Sequence, residues 1–230
     1  MDLQGLLVEG DPALEPPQVP FAQQRVAVEG WTLEDPSRIG LMDVLRNARP
    51  SVLIGVTARR GMFDAAVLAQ MAANSDLPVI MALSNPTSKV ECTPEEVAAA
   101  TGGRFLMATG SPFGPVKVGD REQGISQCNN MFVFPAVGLG ALVAGASRVT
   151  DRMFVAASKA LSALVTPEMQ ARGLLLPPTN DIREVSFRVA LAVAKEARDS
   201  GIARLLDDDT LARLIRQAQW VPRYLPYRAG

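Results

Sequence analysis

Two short polar stretches place asparagine side chains where they could hold a ligand. Ser84-Asn85-Pro86-Thr87 follows the apolar run 79–83, and Asn129-Asn130 precedes the uncharged run 131–146. An asparagine amide offers both a hydrogen-bond donor and an acceptor, so it can orient a polar substrate. Both stretches also have a purely structural explanation, an Asx turn at Asn85 and a helix cap at the paired asparagines. The residues alone leave both possibilities open.

The composition excludes several kinds of catalytic site. The 230 residues include no histidine, which removes histidine bases, Ser-His and Cys-His pairs, and histidine metal sites. Cys92 and Cys128 do not form a CxxC motif and are expected to be buried, reduced cysteines of a cytoplasmic protein. The glutamates at 91, 95 and 96 surround a predicted helix start, where the helix dipole favours carboxylates. No catalytic acidic pair or metal cage is visible.

The charge balance and the apolar segments exclude other partners. With 23 basic and 24 acidic residues, no nucleic-acid or membrane-binding surface is predicted. The run 131–146 is short for a membrane span and predicts a core helix. Its Gly138 and Gly140 fit only part of a dinucleotide fingerprint, since the third position is Val143, and they are interpreted as sites of close helix packing. The N-terminus has no signal-peptide pattern.

Alternating strand and helix patterns predict a parallel sheet that would position Asn85. Short apolar runs predict strands at 51–56, 78–83 and 104–109, the first of them buried on both faces. Helices are predicted at 33–47, 62–73 and 93–100, the last with a capping box of Thr93 and Glu96 around Pro94. Ligands bind beyond the carboxyl ends of such strands, which here lead into 57–61, 84–87 and 110–114.

The second part of the chain has a different character. After about residue 128 the pattern is helical, with helices predicted at 138–165, 182–200 and 207–218. The predicted organisation is therefore an α/β domain over 1–127 and a mainly helical region over 128–230. The only tyrosines, Tyr224 and Tyr227, lie at the far C-terminus.

Several strings together resemble the C-terminal half of the malic enzymes, of the large bacterial type and its malolactic relatives. These strings are LIGVT, ALSNPTSKVECTPEEV, GRFLMATGSPFGPV, QCNNMFVFPAVGLGALVAGASRVTDRMF and LLPPTNDIREVSFRVALAV. The resemblance is dense over residues 50–195. It implies a partial doubly wound, Rossmann-type parallel sheet that lacks its first strand and its Gly-rich fingerprint, followed by a helical C-terminal region.

The resemblance also implies an activity and a set of binding residues. The family oxidatively decarboxylates malate to pyruvate with NAD, or NADP, as hydride acceptor and with Mg²⁺ or Mn²⁺ as Lewis acid. The family's motifs carry over to Asn85 and Asn129 as contacts of substrate and nicotinamide, with Asn130 as their neighbour. Gly55 and Val56 correspond to the strand exit that lies against the dinucleotide. Asp2 corresponds to a carboxylate that binds the adenosine ribose and favours NAD.

This sequence departs from the family in what it lacks. No residue matches the family's tyrosine acid, lysine base or metal-binding carboxylates, so no catalytic residue and no metal ligand is expected in this chain. Arg59 and Arg60 replace small residues of the family's loop and could either help or hinder cofactor binding. We therefore expect a fragment, a split subunit or an internally started product that is inactive alone, and a homo-oligomer in the complete enzyme.

The alternatives to a malic enzyme are a malolactic-type enzyme, which releases lactate, and a non-catalytic nucleotide-binding or assembly module.

Since the central first strand of the family's sheet has no counterpart, the strand at 51–56 is expected to keep an unpaired apolar edge. The isolated chain is then predicted to associate through that edge or to be marginally stable.

Overall fold

The computed structural model describes residues 1–221 and Tyr224, and it contains two compact units, Met1–Ile125 and Ser126–Gly230. Tyr227 lies outside the described residues. The helices and strands of the first unit are α1 Leu41–Ala48, β1 Val52–Gly55, α2 Ala65–Asn74, β2 Val79–Ala82, α3 Pro94–Thr101, β3 Leu106–Thr109, β4 Val116–Val118 and β5 Arg121–Gln123.

The N-terminal forty residues form no long element. They contain two 3-10 turns, Val19–Phe21 and Arg25–Val28. The helix predicted at 33–47 begins only at Leu41, because the carboxylate of Asp43 holds the preceding chain in a non-helical path. Its Oδ2 accepts from the Gly40 N–H at 2.9 Å and its Oδ1 from the Glu34 N–H at 3.0 Å.

The predicted parallel sheet is present. β1 pairs in parallel with β2 and β2 with β3, so that Gly55 lies opposite Ala82 and Ala82 opposite Thr109. Right-handed crossovers in one direction place α2 and α3 on the same face of the sheet, where these two helices contact each other. Leu53, Ile80 and Met107 are buried beneath them.

The prediction that the first strand is buried on both faces is wrong. Burial along β1 alternates, because only one face of this strand is covered. On the other face Val52 is 45% exposed and Ile54 58%, and Val56 just beyond the strand is 78% exposed. β1 is also the terminal strand of its sheet, so an apolar stripe lies beside a strand edge.

The capping box predicted for α3 is confirmed. The Thr93 N–H donates to Oε2 of Glu96 at 2.7 Å, and the Glu96 N–H donates to Oγ1 of Thr93 at 3.3 Å. Gly102 ends the helix with a φ of 61°, a left-handed conformation that favours glycine. The antiparallel hairpin of β4 and β5 was not predicted, since its three-residue strands are too short to show a pattern.

The second unit is mainly helical, as predicted. Its elements are β6 Ser126–Gln127, a 3-10 turn Asn130–Phe132, and the helices α4 Phe134–Ala144, α5 Asp151–Ser162, α6 Pro167–Ala171, α7 Ile182–Asp199 and α8 Asp208–Ala218. The single helix predicted at 138–165 is two helices, because Gly145 ends α4 with a φ of 66°. None of the helices in the described part of the chain is long and apolar enough to cross a membrane.

α4 packs closely against α7, but only one of the two glycines interpreted as packing sites serves this contact. A Cβ added at Gly140 would lie 2.4 Å from the carbonyl oxygen of Ala190 on α7. Gly138 is exposed, and a Cβ there would meet nothing within 4 Å. The prediction is therefore confirmed for Gly140 and wrong for Gly138.

Candidate functional site

The carboxyl ends of β1, β2 and β3 lead into three loops, 57–61, 84–87 and 110–114. Asn85 lies in the middle loop, two residues beyond the point where the Leu83 N–H donates to the Gly55 carbonyl at 2.9 Å. This bond brings together the predicted cofactor residues at the end of β1 and the predicted substrate residue after β2. The peptide bond between Asn85 and Pro86 is cis.

The Asn85 amide is held in place yet remains exposed. Its Oδ1 accepts from the Ser111 hydroxyl of the third loop at 2.6 Å. Its Nδ2 donates to the Leu83 carbonyl at 3.4 Å. Contacts with both neighbours restrict the amide to one orientation, while its exposure leaves it accessible to a ligand.

Two glycines let the chain approach itself closely at this edge of the sheet. A Cβ at Gly110 would lie 2.2 Å from the Leu83 carbonyl oxygen and 2.8 Å from Nδ2 of Asn85. A Cβ at Gly55 would lie 2.6 Å from Cζ of Phe63 and 2.8 Å from Cγ of Glu91. All four distances are far inside van der Waals contact, so a Cβ at either position would force the neighbouring atoms to shift.

Its position in the sequence places Glu91 among the carboxylates around the start of a helix, and the structure corrects this interpretation. The residue is fully buried, and its carboxylate connects the first two loops. Oε1 accepts from the Thr57 N–H at 2.8 Å, from the Thr57 hydroxyl at 2.9 Å and from the Ser84 hydroxyl in a short bond. Oε2 accepts from the Ser84 N–H at 3.3 Å.

These hydrogen bonds keep Glu91 anionic without a cation. Burial by itself would raise the pKa of this carboxyl, but the donors from Ser84 and Thr57 outweigh it and hold the pKa below its ordinary value. No lysine or arginine of the described chain forms an ion pair with Glu91. The pKa of the neighbouring Cys92 thiol shifts in the opposite direction, since burial and the charges of Glu96 and Glu91 raise it to about 12. Cys92 is therefore a neutral core residue and no nucleophile.

The first loop carries a strained residue and two free cations. Ala58 has a φ of 53°, in the left-handed region that side chains other than glycine rarely adopt. Its N–H donates to the Ser84 hydroxyl at 2.8 Å. Arg59 and Arg60 are exposed, and neither forms an ion pair with any other described residue. Both guanidinium groups are thus available to an anion.

Asp2, the predicted ribose-binding carboxylate, lies outside the parallel sheet. It forms an isolated β-bridge with Gly5. Its carboxylate accepts from the Leu3 N–H and from the Gln18 side chain, both at 2.6 Å. These two bonds lower the pKa of Asp2, which keeps this exposed carboxylate anionic.

Asn129 and Asn130 belong to the second unit. Oδ1 of Asn129 accepts from the Met131 N–H at 3.2 Å and caps the 3-10 turn that precedes α4. The Asn130 side chain is exposed and makes no hydrogen bond to another residue in the described ranges. Of the two possibilities left open for this pair, capping is therefore realised at Asn129.

The residues that sequence reasoning missed are the ones that bind the loops to each other. Ser111 and Thr57 lie in the predicted turns but received no role, and Glu91 received a different one. A signal for Glu91 exists in the sequence, because it stands between Val90 and Cys92, two apolar residues that are both buried.

A metal ion of the kind the family uses finds no binding site in the described part of the chain. Between Met1 and Val221, and at Tyr224, no three cysteine or acidic side chains lie close enough together to hold one. The polar groups at the carboxyl ends of the strands are amides, hydroxyls, the cationic side chains of Arg59 and Arg60, and the single buried Glu91, which already accepts hydrogen bonds at both oxygens. They fit a polar organic ligand beside the exposed Val56 and do not fit a divalent cation.

Comparison with known proteins identifies relatives of this chain. An NAD-dependent malic enzyme of Pseudomonas aeruginosa is 44% identical over 228 residues, which are 99% of this chain and 40% of the relative. The chain thus spans about two fifths of the length of the curated relatives it matches. A solved malic enzyme from Pyrococcus horikoshii is 31% identical with a TM-score of 0.60, over 77% of this chain and 37% of that protein.

The fold and the family follow from two further matches. Malic enzyme of Entamoeba histolytica superimposes with a TM-score of 0.69 at 22% identity, over 94% of this chain and 40% of its own. The α/β fold with a Rossmann-type parallel sheet is thereby confirmed. The family model for the NAD-binding domain of malic enzyme matches residues 1–198, and since this is most of the sequence, the chain belongs to the malic enzyme family through that domain.

Proposed function

We propose that this chain forms the part of an NAD-linked malic enzyme that faces the nicotinamide and the malate, in an enzyme that oxidatively decarboxylates malate to pyruvate and CO₂. The observation that carries the proposal is the Asn85 amide, which Ser111 holds in one orientation while it stays exposed beside the end of β1. Ligands of open parallel sheets bind at this edge. The relatives are named NAD-dependent malic enzymes, and the resemblance to that family implies the reaction.

Several residues of this chain would each make a different contact with the bound ligands. The exposed side chain of Val56 offers an apolar surface beside the strand exit, where an aromatic ring can pack. Asn85 offers a donor and an acceptor for polar groups, and the family's motif gives Asn129 and Asn130 the same role. Arg59 and Arg60 would attract the phosphates of a dinucleotide. NAD, when bound, supplies the hydride acceptor, and these residues orient it and the substrate.

Other components of the enzyme come from outside this set of residues. The divalent Mg²⁺ or Mn²⁺ of the family would be held by residues other than the described ones, as would the proton-transferring groups. We further propose a cytoplasmic location and a homo-oligomeric complete enzyme. The carboxylate of Asp2 would favour NAD over NADP, because a 2′-phosphate placed beside it would be repelled.

A titration of the isotope-labelled chain with NAD tests the proposal. We expect saturable shifts of the backbone amide signals of Gly55 and Val56 and of the Asn85 side-chain amide. Asn85→Ala should weaken binding, while Asn180→Ala, at an exposed asparagine in the second unit, should leave it unchanged. Uniformly small shifts across both units, or equal binding by the two variants, would contradict the proposed site.

The activity of the 230-residue chain gives a second test. Since the tyrosine acid, lysine base and metal carboxylates of the family have no match here, the purified chain should not reduce NAD with malate and Mn²⁺. Reduction at the rate of a full-length relative would contradict this assignment of roles. In the complete enzyme, pyruvate is the expected product, and lactate without net NADH would replace the proposal by a malolactic activity.

A further inference from the structure

The buried carboxylate of Glu91 is expensive for the fold to maintain. Transfer of an anion into the protein interior is strongly unfavourable unless hydrogen bonds compensate it. The residues on both sides, Val90 and Cys92, fill the same core with apolar or neutral groups. Packing alone therefore does not call for a carboxylate at position 91.

The positions of the hydrogen-bond donors to Glu91 indicate the role of its carboxylate. Thr57, on the loop after β1, supplies its backbone N–H and its hydroxyl. Ser84, on the loop after β2, supplies the same two kinds of donor. Glu91 thus joins the exits of two neighbouring strands, and one of its partners immediately precedes Asn85.

The effect of Glu91 reaches further through the Ser84 hydroxyl. While this hydroxyl donates to Glu91, its oxygen accepts the N–H of Ala58. Ala58 benefits from such support, because a left-handed backbone is strained for a residue with a Cβ. The Ser84 hydroxyl therefore links Glu91 to the loop that carries Arg59 and Arg60.

We propose that Glu91 is a positioning residue of the cofactor site, which sets the first loop and Asn85 in the arrangement that binds NAD. The inference rests on the proposed function of this edge of the sheet. Glu91 itself is covered by the loops and contacts no ligand. It acts through the hydrogen bonds that it accepts from Thr57 and Ser84.

Glu91→Gln is the sharpest variant for testing this role. Glutamine keeps the size of the side chain but replaces one acceptor oxygen by an NH₂ group, which opposes the N–H or hydroxyl donors now in place. We expect the amide protons of Thr57, Ala58 and Ser84 to exchange with solvent at least about tenfold faster, and NAD to bind at least about tenfold more weakly.

Asp43→Asn is the matched control. Asp43, on α1 and outside these loops, is also a buried carboxylate (3% exposed) that accepts two backbone N–H groups, from Glu34 and Gly40. This variant should lower the melting temperature as Glu91→Gln does. It should change neither the exchange of the three loop amides nor the binding of NAD.

Ser84→Ala serves as a second variant in case Glu91→Gln does not fold. It removes the link to Ala58 but leaves both donors of Thr57 on Glu91. We expect faster exchange at Ala58, unchanged exchange at Thr57 and weaker binding of NAD.

The two proposals fail in different ways. If the unchanged chain binds NAD and Glu91→Gln binds it equally well, the inference is overturned and the proposed function stands. If the unchanged chain binds no NAD, the proposed function of the site is overturned. Loop amides that exchange as slowly in Glu91→Gln as in the unchanged chain overturn the positioning role whether or not NAD binds.

Discussion

The Ser111 hydroxyl donates a 2.6 Å hydrogen bond to Oδ1 of Asn85, and so the loop after β3 holds the amide at the exit of β2. Ser111 is itself fixed, because its carbonyl accepts from the Thr109 hydroxyl at 2.8 Å. Together with the bonds of Glu91, this contact connects the three loops at the carboxyl edge of the sheet in a chain of hydrogen bonds.

Replacing Ser111 with alanine should release the Asn85 amide. We expect a loss of about 1 kcal/mol in the free energy of unfolding, the usual contribution of one hydrogen bond. The NAD-induced shift of the Asn85 side-chain signal should decrease. Calorimetry and an NMR titration measure the two effects.

Thr101→Val is a suitable control for Ser111→Ala. It removes another buried hydroxyl, which donates to the Val97 carbonyl within α3. Its stability should fall by a similar amount, but the Asn85 signal should keep its shift. Equal NAD-induced shifts in both variants would show that Ser111 does not orient the amide.

Gly110→Ala should disturb the same edge by crowding. The added Cβ would lie 2.2 Å from the Leu83 carbonyl oxygen, so the backbone must move, at a cost of roughly 1–3 kcal/mol. Gly114→Ala, in the same loop, is the control, since a Cβ there meets nothing within 4 Å. Denaturant unfolding should show a clear loss for Gly110→Ala only. Equal stability of the two variants would mean that the loop backbone shifts without a loss of stability, which would contradict the prediction.

Local signals in the sequence predicted several elements closely. The helix predicted at 182–200 is observed at Ile182–Asp199, because its apolar spacing is regular over five turns. α3 was predicted with its cap, since Thr93, Pro94 and Glu96 interact within one turn. The helix at 33–47 was predicted too long, because the contacts of Asp43 that shape residues 34–40 are not a periodic pattern.

The candidate site was predictable only in its location. The rule that ligands bind beyond the carboxyl ends of parallel strands identified the loop of Asn85. The bonds that hold this loop join residues far apart in the chain, 34 positions between Thr57 and Glu91 and 26 between Asn85 and Ser111. Contacts of this kind depend on the register of the strands, which no local pattern specifies.

The exposed stripe on β1 should make the isolated chain associate. Ile54 and Val52 are about half exposed beside a strand edge that no other described strand covers, and such edges pair readily with other chains. Ile54→Lys should therefore shift the chain towards the monomer in sedimentation velocity without a large change in its melting temperature.

Val26→Lys is the control for the β1 edge. Val26 is 65% exposed in the second 3-10 turn of the N-terminal segment, outside the sheet, so its replacement should leave the association unchanged. A monodisperse monomer of the unchanged chain at high concentration, or equal effects of the two lysines, would contradict association through β1.

Protonation of Glu91 should lower the free energy of unfolding at acidic pH. A carboxyl whose pKa is lower in the folded than in the unfolded chain stabilises the fold above its unfolded value, near 4.5, and this contribution disappears as the pH falls through the folded value. Glu91→Gln should therefore be less stable than the unchanged chain at pH 7. The difference between their free energies of unfolding should become smaller below about pH 4.5. Urea unfolding between pH 7 and pH 3 measures both curves. Since all other carboxylates are common to the two proteins, their difference isolates Glu91, and a gap that stays constant with pH would show that its ionisation does not stabilise the loops.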